Sequence, residues 1–269
     1  MESAFLTYRN SSIHYIRFGS GSKHLFAFHG FSENATSFLT LESSLGQYYT
    51  IYAFDIPFHG ETKWNEEEPF AVSDLLSIVD ACRQQNGIDR FSVLGFSMGG
   101  KCALYLTAAF AKDMDALWLL ASDGIQTNKI YNVAVYPAWG RKLFHTTIDH
   151  PGWFFAFIRI SRALRMLSPW LYKFTTNHMN TREKRQRLYD TWISMSRFNP
   201  DIDVVKREVQ KYAIRCFLFF GIRDEVIPVS VGAAFADGLD NCTLVELQRG
   251  HYFIDEKLNP FIEEELRTM

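Results

Sequence analysis

Short apolar runs alternate along this chain with segments whose apolar positions recur every three or four residues. His24–Phe28, Tyr49–Phe54, Phe91–Leu94, Ala116–Leu120, Ile214–Phe220 and Thr243–Leu247 are runs of the first kind. Ala4–Arg9 and Ser12–Phe18 read as two more strands about a turn at Asn10-Ser11. Ala35–Leu45, Phe70–Gln85, Cys102–Ala111, Val229–Asp237 and Asp255–Arg267 carry helical spacing. A strand that is apolar without alternation is covered on both faces, and such strands separated by helices build a parallel sheet. The pattern predicts an α/β fold, a mostly parallel, roughly eight-stranded sheet with helices on both faces.

The rhythm stops between Ile125 and Arg207. That stretch falls after the sixth predicted strand, is helical in flavour, rich in Trp, Phe, Tyr and Arg, and poor in glycine. It holds fourteen Lys/Arg against five Asp/Glu, a charge of +9, while the whole chain carries −2, so the remainder carries −11. A basic segment in an acidic body points to separate construction. We therefore expect residues 1–124 and 208–269 to form the core domain and 125–207 a helical cap inserted after the sixth strand.

Length and composition narrow the class. The 269 residues, 47% of them hydrophobic, suffice for one large core. No apolar run is long enough to span a bilayer, so stable membrane insertion is not expected. The N-terminus lacks the basic and apolar regions of a secretion signal. Cys82, Cys102, Cys216 and Cys242 are scattered without a C-x-x-C pair, which reads as reduced, buried thiols. A cytoplasmic protein is the expectation. No basic-aromatic motif of a known nucleic-acid type occurs, so nucleic acid is not an expected partner.

The richest chemistry lies at Gly95-Phe96-Ser97-Met98-Gly99, between a strand and a helix. Glycines two before and two after the serine suit a very tight turn that lifts one hydroxyl above the sheet edge. Ser97 reads as a nucleophile. The same letters approach a phosphate loop, Gly95-x-x-x-x-Gly100-Lys101-Cys102, but that loop needs a hydroxyl where Cys102 has a thiol, a poor ligand for magnesium.

A serine needs a base, and the base needs an acid to fix its tautomer. In parallel sheets both belong on loops just past strands. His251, in Arg249-Gly250-His251, follows the last predicted strand and is the final histidine. Asp224 follows Ile214–Phe220, with Asp123 as the alternative acid and a plain turn aspartate as the bland reading of either. Acyl transfer also needs donors for an oxyanion. The backbone N–H of Met98 and that of Phe31, after His29-Gly30, are the candidates.

His29-Gly30-Phe31, Asp55-x-Pro57-x-His59-Gly60, Gly95-Phe96-Ser97-Met98-Gly99-Gly100, Asp224-x-x-Val226-x-Pro228 and Gly250-His251 together resemble the α/β-hydrolase fold superfamily in order and spacing. The resemblance implies a serine hydrolase without a cofactor, acting on an ester-like bond of a small acyl substrate through an acyl-enzyme. Serine at position 97 argues against its dehalogenases and soluble epoxide hydrolases, which use aspartate there. Two other readings stay open: a C–C bond hydrolase or lyase similar to 2-succinyl-6-hydroxy-cyclohexadiene-carboxylate synthase, which carries arginine where this chain has Lys101, and a non-catalytic ligand-binding member. No spacing suggests a metal site. Within the expected cap, Trp153, Arg159 and Arg162 are candidate substrate contacts, with Arg159, Arg162 and Arg165 forming a stripe if helical. An acidic carrier protein is a candidate partner of that basic surface.

Overall fold

The computed structural model describes residues 1–126, 129–167 and 169–268. Among them, eight strands form one sheet: β1 (Glu2–Tyr8), β2 (Ser11–Phe18), β3 (Lys23–Phe28), β4 (Tyr49–Phe54), β5 (Phe91–Phe96), β6 (Met114–Leu120), β7 (Arg215–Gly221) and β8 (Cys242–Leu247). Their spatial order is β1-β2-β4-β3-β5-β6-β7-β8. β2 is antiparallel to both β1 and β4, and the remaining pairings are parallel. The helices are α1 (Leu45–Tyr48), α2 (Val72–Asn86), α3 (Gly99–Phe110), α4 (Lys129–Val135), α5 (Ala138–Asp149), α6 (Gly152–Ala163), α7 (Pro169–His178), α8 (Arg182–Met195), α9 (Ile202–Lys211), α10 (Val229–Ala236) and α11 (Asn259–Leu266).

The predicted strands form because nothing polar interrupts them. Every residue of β5 is buried, as is every residue of β6 but Asp115 and of β7 but Arg215. Trp118 of β6 stacks on Phe217 of β7 with ring centroids 4.2 Å apart, at the centre of the core. A parallel sheet presents all its strand ends on one side, so the loops after β3, β5, β6, β7 and β8 are neighbours.

One predicted helix is different. Ala35–Leu45 is a 3₁₀ turn over Ala35–Leu41 followed by the short α1. The Asn34 side chain accepts the Thr36 N–H, the Asp55 carboxylate accepts the Ala35 N–H, and the Thr40 and Ser44 hydroxyls donate to carbonyls three residues back. Such side-chain bonds compete with the α-helical ladder.

The chain divides into two compact units, Met1–Gln126 with Phe198–Met269, and Thr127–Arg197. The second is ten residues shorter at its C-terminal end than the expected 125–207 segment, because Phe198 stacks on Phe70 and meets Tyr105 edge-on. α9, which follows, packs on α3. Within the second unit, the buried Arg185 donates from Nε to Ile148 O and from Nη1 to Met179 O, 2.8 Å each, placing a cation on the carbonyl ends of α5 and α7. No helix among the described residues is long and apolar enough to cross a membrane.

Candidate active site

β5 ends at Phe96 and α3 begins at Gly99, so only Ser97 and Met98 connect them. That brevity forces Ser97 to a φ of +49°. A left-handed non-glycine residue costs on the order of 1–3 kcal/mol and persists only where its surroundings fix it. Three hydrogen bonds of 2.9 Å do so here: Ser97 N to Leu120 O, and both Gly100 N and Asp123 N to Ser97 O. Two glycines make room. A Cβ on Gly99 would stand 2.0 Å from Phe28 O, and one on Gly100 would stand 1.8 Å from Ser122 Oγ.

The last two parallel strands deliver the partners. His251 Nε2 lies 2.9 Å from Ser97 Oγ, and His251 Nδ1 lies 2.8 Å from Asp224 Oδ2. With the carboxylate ionised, Nδ1–H donates to Asp224 and Nε2 is left to accept the serine proton. Asp224 is fixed from its other oxygen: Oδ1 accepts the Val226 and Ile227 N–H groups at 2.7 and 3.0 Å. Asp224 thus bonds its own turn through one oxygen and the His251 ring through the other. The His251 loop is braced by a two-armed ion pair between Arg249 and Asp255, which lowers the Asp255 pKa and raises that of Arg249 through the hydrogen bonds between them.

Asp123, the alternative acid, turns elsewhere. Its Oδ1 accepts its neighbour Gly124 N–H at 2.7 Å and its Oδ2 faces Lys101 Nζ at 3.6 Å. Lys101 is 6% exposed and Cys102 is fully buried inside α3, where desolvation pushes its thiol up to about 12.

The loop after β3 lies against the elbow. A Cβ on Gly30 would be 3.0 Å from the Phe96 ring and 3.3 Å from Ser97 Cβ. Phe31 follows Gly30 directly and Met98 follows Ser97, so both residues named for oxyanion donors flank this contact. His29 anchors the loop: its Nδ1 donates to Gly30 O at 2.7 Å and its Nε2 accepts Ile56 N–H at 3.0 Å. Complete burial pushes its pKa down to about 4, outweighing the Gly30 bond and the field of Asp55, and keeps it neutral. The turn continues through Ser32, at φ +67°, to Glu33. Glu33 N–H donates to Gly30 O and Glu33 Oε2 accepts Gly30 N–H, 3.3 Å each. Burial raises the Glu33 pKa, while the Gly30 N–H and the nearby His251 pull it down. Motif spacing gives no sign of this carboxylate; the only sequence clue is an acid three residues past the loop glycine.

Trp153, Arg159 and Arg162 fall in the other unit, on α6. All three are exposed, Trp153 by 42%. The Arg162 guanidinium sits 3.8 Å above the Tyr172 ring. The three-arginine stripe is corrected: α6 stops at Ala163, and Arg165 lies beyond it at φ +57°. Exposed apolar residues share this stretch with Arg159 and Arg162: Trp153, Phe157 and Ile160 on α6, and Leu164 just past its end.

Comparisons with known proteins fit this geometry. A thermophilic esterase from Thermogutta terrifontis superposes with a TM-score of 0.71 at 14% identity, over 100% of this chain and 99% of that one. A haloalkane dehalogenase from Bradyrhizobium elkani gives 0.66 at 16%, over 100% and 99%. At such identities the likeness is one of fold alone. A serine hydrolase-like protein of Danio rerio is 29% identical over 107 residues, 38% of this chain and 32% of that protein. An uncharacterised protein of Mycobacterium tuberculosis is 28% identical over 128 residues, 44% of this chain and 35% of that one. The chain thus spans about a third of the length of these curated relatives. The family described as alpha/beta hydrolase fold is matched across residues 23–258, a range that contains β3 to β8, the elbow, Asp224 and His251. On that match and this sheet order, the chain belongs to the alpha/beta hydrolase fold family.

Proposed function

We propose that this protein is a serine hydrolase that cleaves an ester-like bond through an acyl-enzyme. One observation carries the reading: the unbroken run of hydrogen bonds from Ser97 Oγ through the His251 ring to Asp224, 2.9 and 2.8 Å long. Ser97 Oγ attacks the acyl carbon as its proton passes to His251 Nε2. Asp224 holds the ring in the tautomer that can accept and stabilises the imidazolium. The N–H groups of Phe31 and Met98 take the oxyanion. Collapse expels the alcohol, which receives the proton from His251. Water then attacks the acyl-serine by the same route in reverse. The strained φ of Ser97 supports the assignment, since such strain collects at functional residues.

The lyase reading has less support. Lys101, at the position where arginine would distinguish that enzyme, is buried and faces Asp123. The second unit is proposed as a cap, with Arg159 and Arg162 as its exposed cations; a carrier-bound acyl group would show their use as a fall in kcat/KM with salt.

The test is a fluorophosphonate probe together with 4-nitrophenyl esters of graded acyl length. The intact protein labels at Ser97 and turns over at least one ester, and Ser97→Ala lowers turnover at least about a thousandfold. Full turnover by Ser97→Ala refutes the nucleophile. Labelling without turnover of any ester favours a ligand-binding member.

A further inference from the structure

Glu33 is a titratable group near the elbow to which the proposed chemistry gives no step. Its Oε2 accepts the Gly30 N–H at 3.3 Å, and Gly30 Cα packs closely on the elbow, where an added Cβ would stand 3.3 Å from Ser97 Cβ. Covalent geometry then puts the carboxylate no more than about 9 Å from Ser97 Cβ. The groups facing it are His251, whose field lowers its pKa, and Tyr252, whose hydroxyl pKa is raised by its own burial and by the charges of Glu33 and Asp224. The carboxylate is thus partly buried in the loop that packs against the elbow, with no cation bonded to it among the described residues. Ser32, just before Glu33, sits at φ +67°, a left-handed conformation within the same turn.

We propose, on the basis of the hydrolase reading above, that Glu33 determines the substrate class of this site, favouring acyl groups that are neutral or cationic and disfavouring anionic ones. A fixed negative charge at this range repels a second carboxylate entering the same half-buried space and attracts an ammonium. The effect acts on substrate entry and binding, so it falls mainly on KM, while the reacting atoms of Ser97 and His251 are untouched. Glu33 also has a plain positioning task, because its bond to Gly30 N–H fixes the loop that carries Phe31. The two tasks separate chemically: Glu33→Gln keeps an oxygen for the Gly30 N–H and removes the charge, whereas Glu33→Ala removes both.

The experiment measures kcat and KM at pH 8 for three 4-nitrophenyl esters of matched acyl length, one neutral, one ending in a carboxylate (the hemisuccinate type) and one ending in a trimethylammonium. Intact protein, Glu33→Gln, Glu33→Ala and Ser97→Ala are compared. The expected result is a wild-type preference for the neutral and cationic esters over the anionic one. Glu33→Gln lowers that preference by about tenfold, mostly through KM. Glu33→Ala lowers kcat for all three as well. Raising ionic strength narrows the wild-type preference, which tests the charge even if a variant fails to fold. An unchanged ratio between the esters in Glu33→Gln, or a wild-type ratio indifferent to salt, overturns the proposal and leaves the hydrolase reading standing. Turnover that does not depend on Ser97 sinks both.

Discussion

Acidification should weaken the fold through one histidine. His29 is fully buried between Gly30 O and Ile56 N–H, and its pKa stands at about 4 against 6.5 for a free imidazole. Between those values the unfolded chain takes up a proton here that the folded one refuses. Stability is therefore fully present above pH 6.5, falls as the pH drops through the window, and levels off below about 4. At about 1.4 kcal/mol per pH unit, the loss reaches roughly 3 kcal/mol over the whole window, about 2–3 kcal/mol of it by pH 4.5. His24 and His178, whose pKa values burial also lowers, contribute in the same direction, and Glu33, whose pKa burial raises, opposes them. A comparison with His29→Gln isolates the one residue, since glutamine cannot titrate and retains an acceptor for Ile56 N–H. Urea unfolding followed by tryptophan fluorescence at pH 7.5 and 4.5 gives the difference directly. The stability gap between wild type and variant should shrink by about 2–3 kcal/mol on acidification. Parallel pH profiles for the two proteins would refute the reasoning.

Two further outcomes follow from the elbow. Asp224→Asn keeps an oxygen for the Val226 and Ile227 N–H groups, so it should fold normally while losing about 10⁴ in kcat, because the amide leaves His251 in the wrong tautomer; equal loss in Asp123→Asn, or loss only there, would move the acid. Gly100→Ala drives a methyl group against the Ser122 hydroxyl, and the overpacking, about 1–3 kcal/mol, should lower the melting temperature by roughly 3–10 °C. Adding Ser122→Gly should return part of that loss in calorimetry, and no recovery would mean that the Asp123 carbonyl, 2.9 Å from the same methyl, sets the limit.

The parallel sheet was legible in the sequence because its central strands are buried on both faces and contain almost nothing else but apolar side chains. Ser97, Asp224 and His251 were legible as positions, since strand ends can be counted and the glycines around Ser97 have few other uses. What spacing could not carry was competition between bonding partners. The helix expected over Ala35–Leu45 lost its first donors to Asn34 and to Asp55, the latter twenty residues away from Ala35. His29 was read only as part of the loop before Phe31, and its anchoring task depends on Ile56 in the next strand's loop. Glu33 went unread because its partner is a backbone N–H that every residue possesses. Phe198, inside the expected 125–207 segment, packs with Phe70 and Tyr105, which lie more than ninety positions earlier.

The elbow has a consequence for how this chain comes to life after synthesis. Ser97 is pinned by Leu120 and Asp123, and Gly99 slides under Phe28, so the turn takes its shape only once β3, β5 and β6 have met. A polypeptide caught halfway, with its helices formed but those three segments apart, has no reason to hold that hydroxyl in a strained pose. On the hydrolase reading proposed above, such a molecule carries the serine without the pose that readies it.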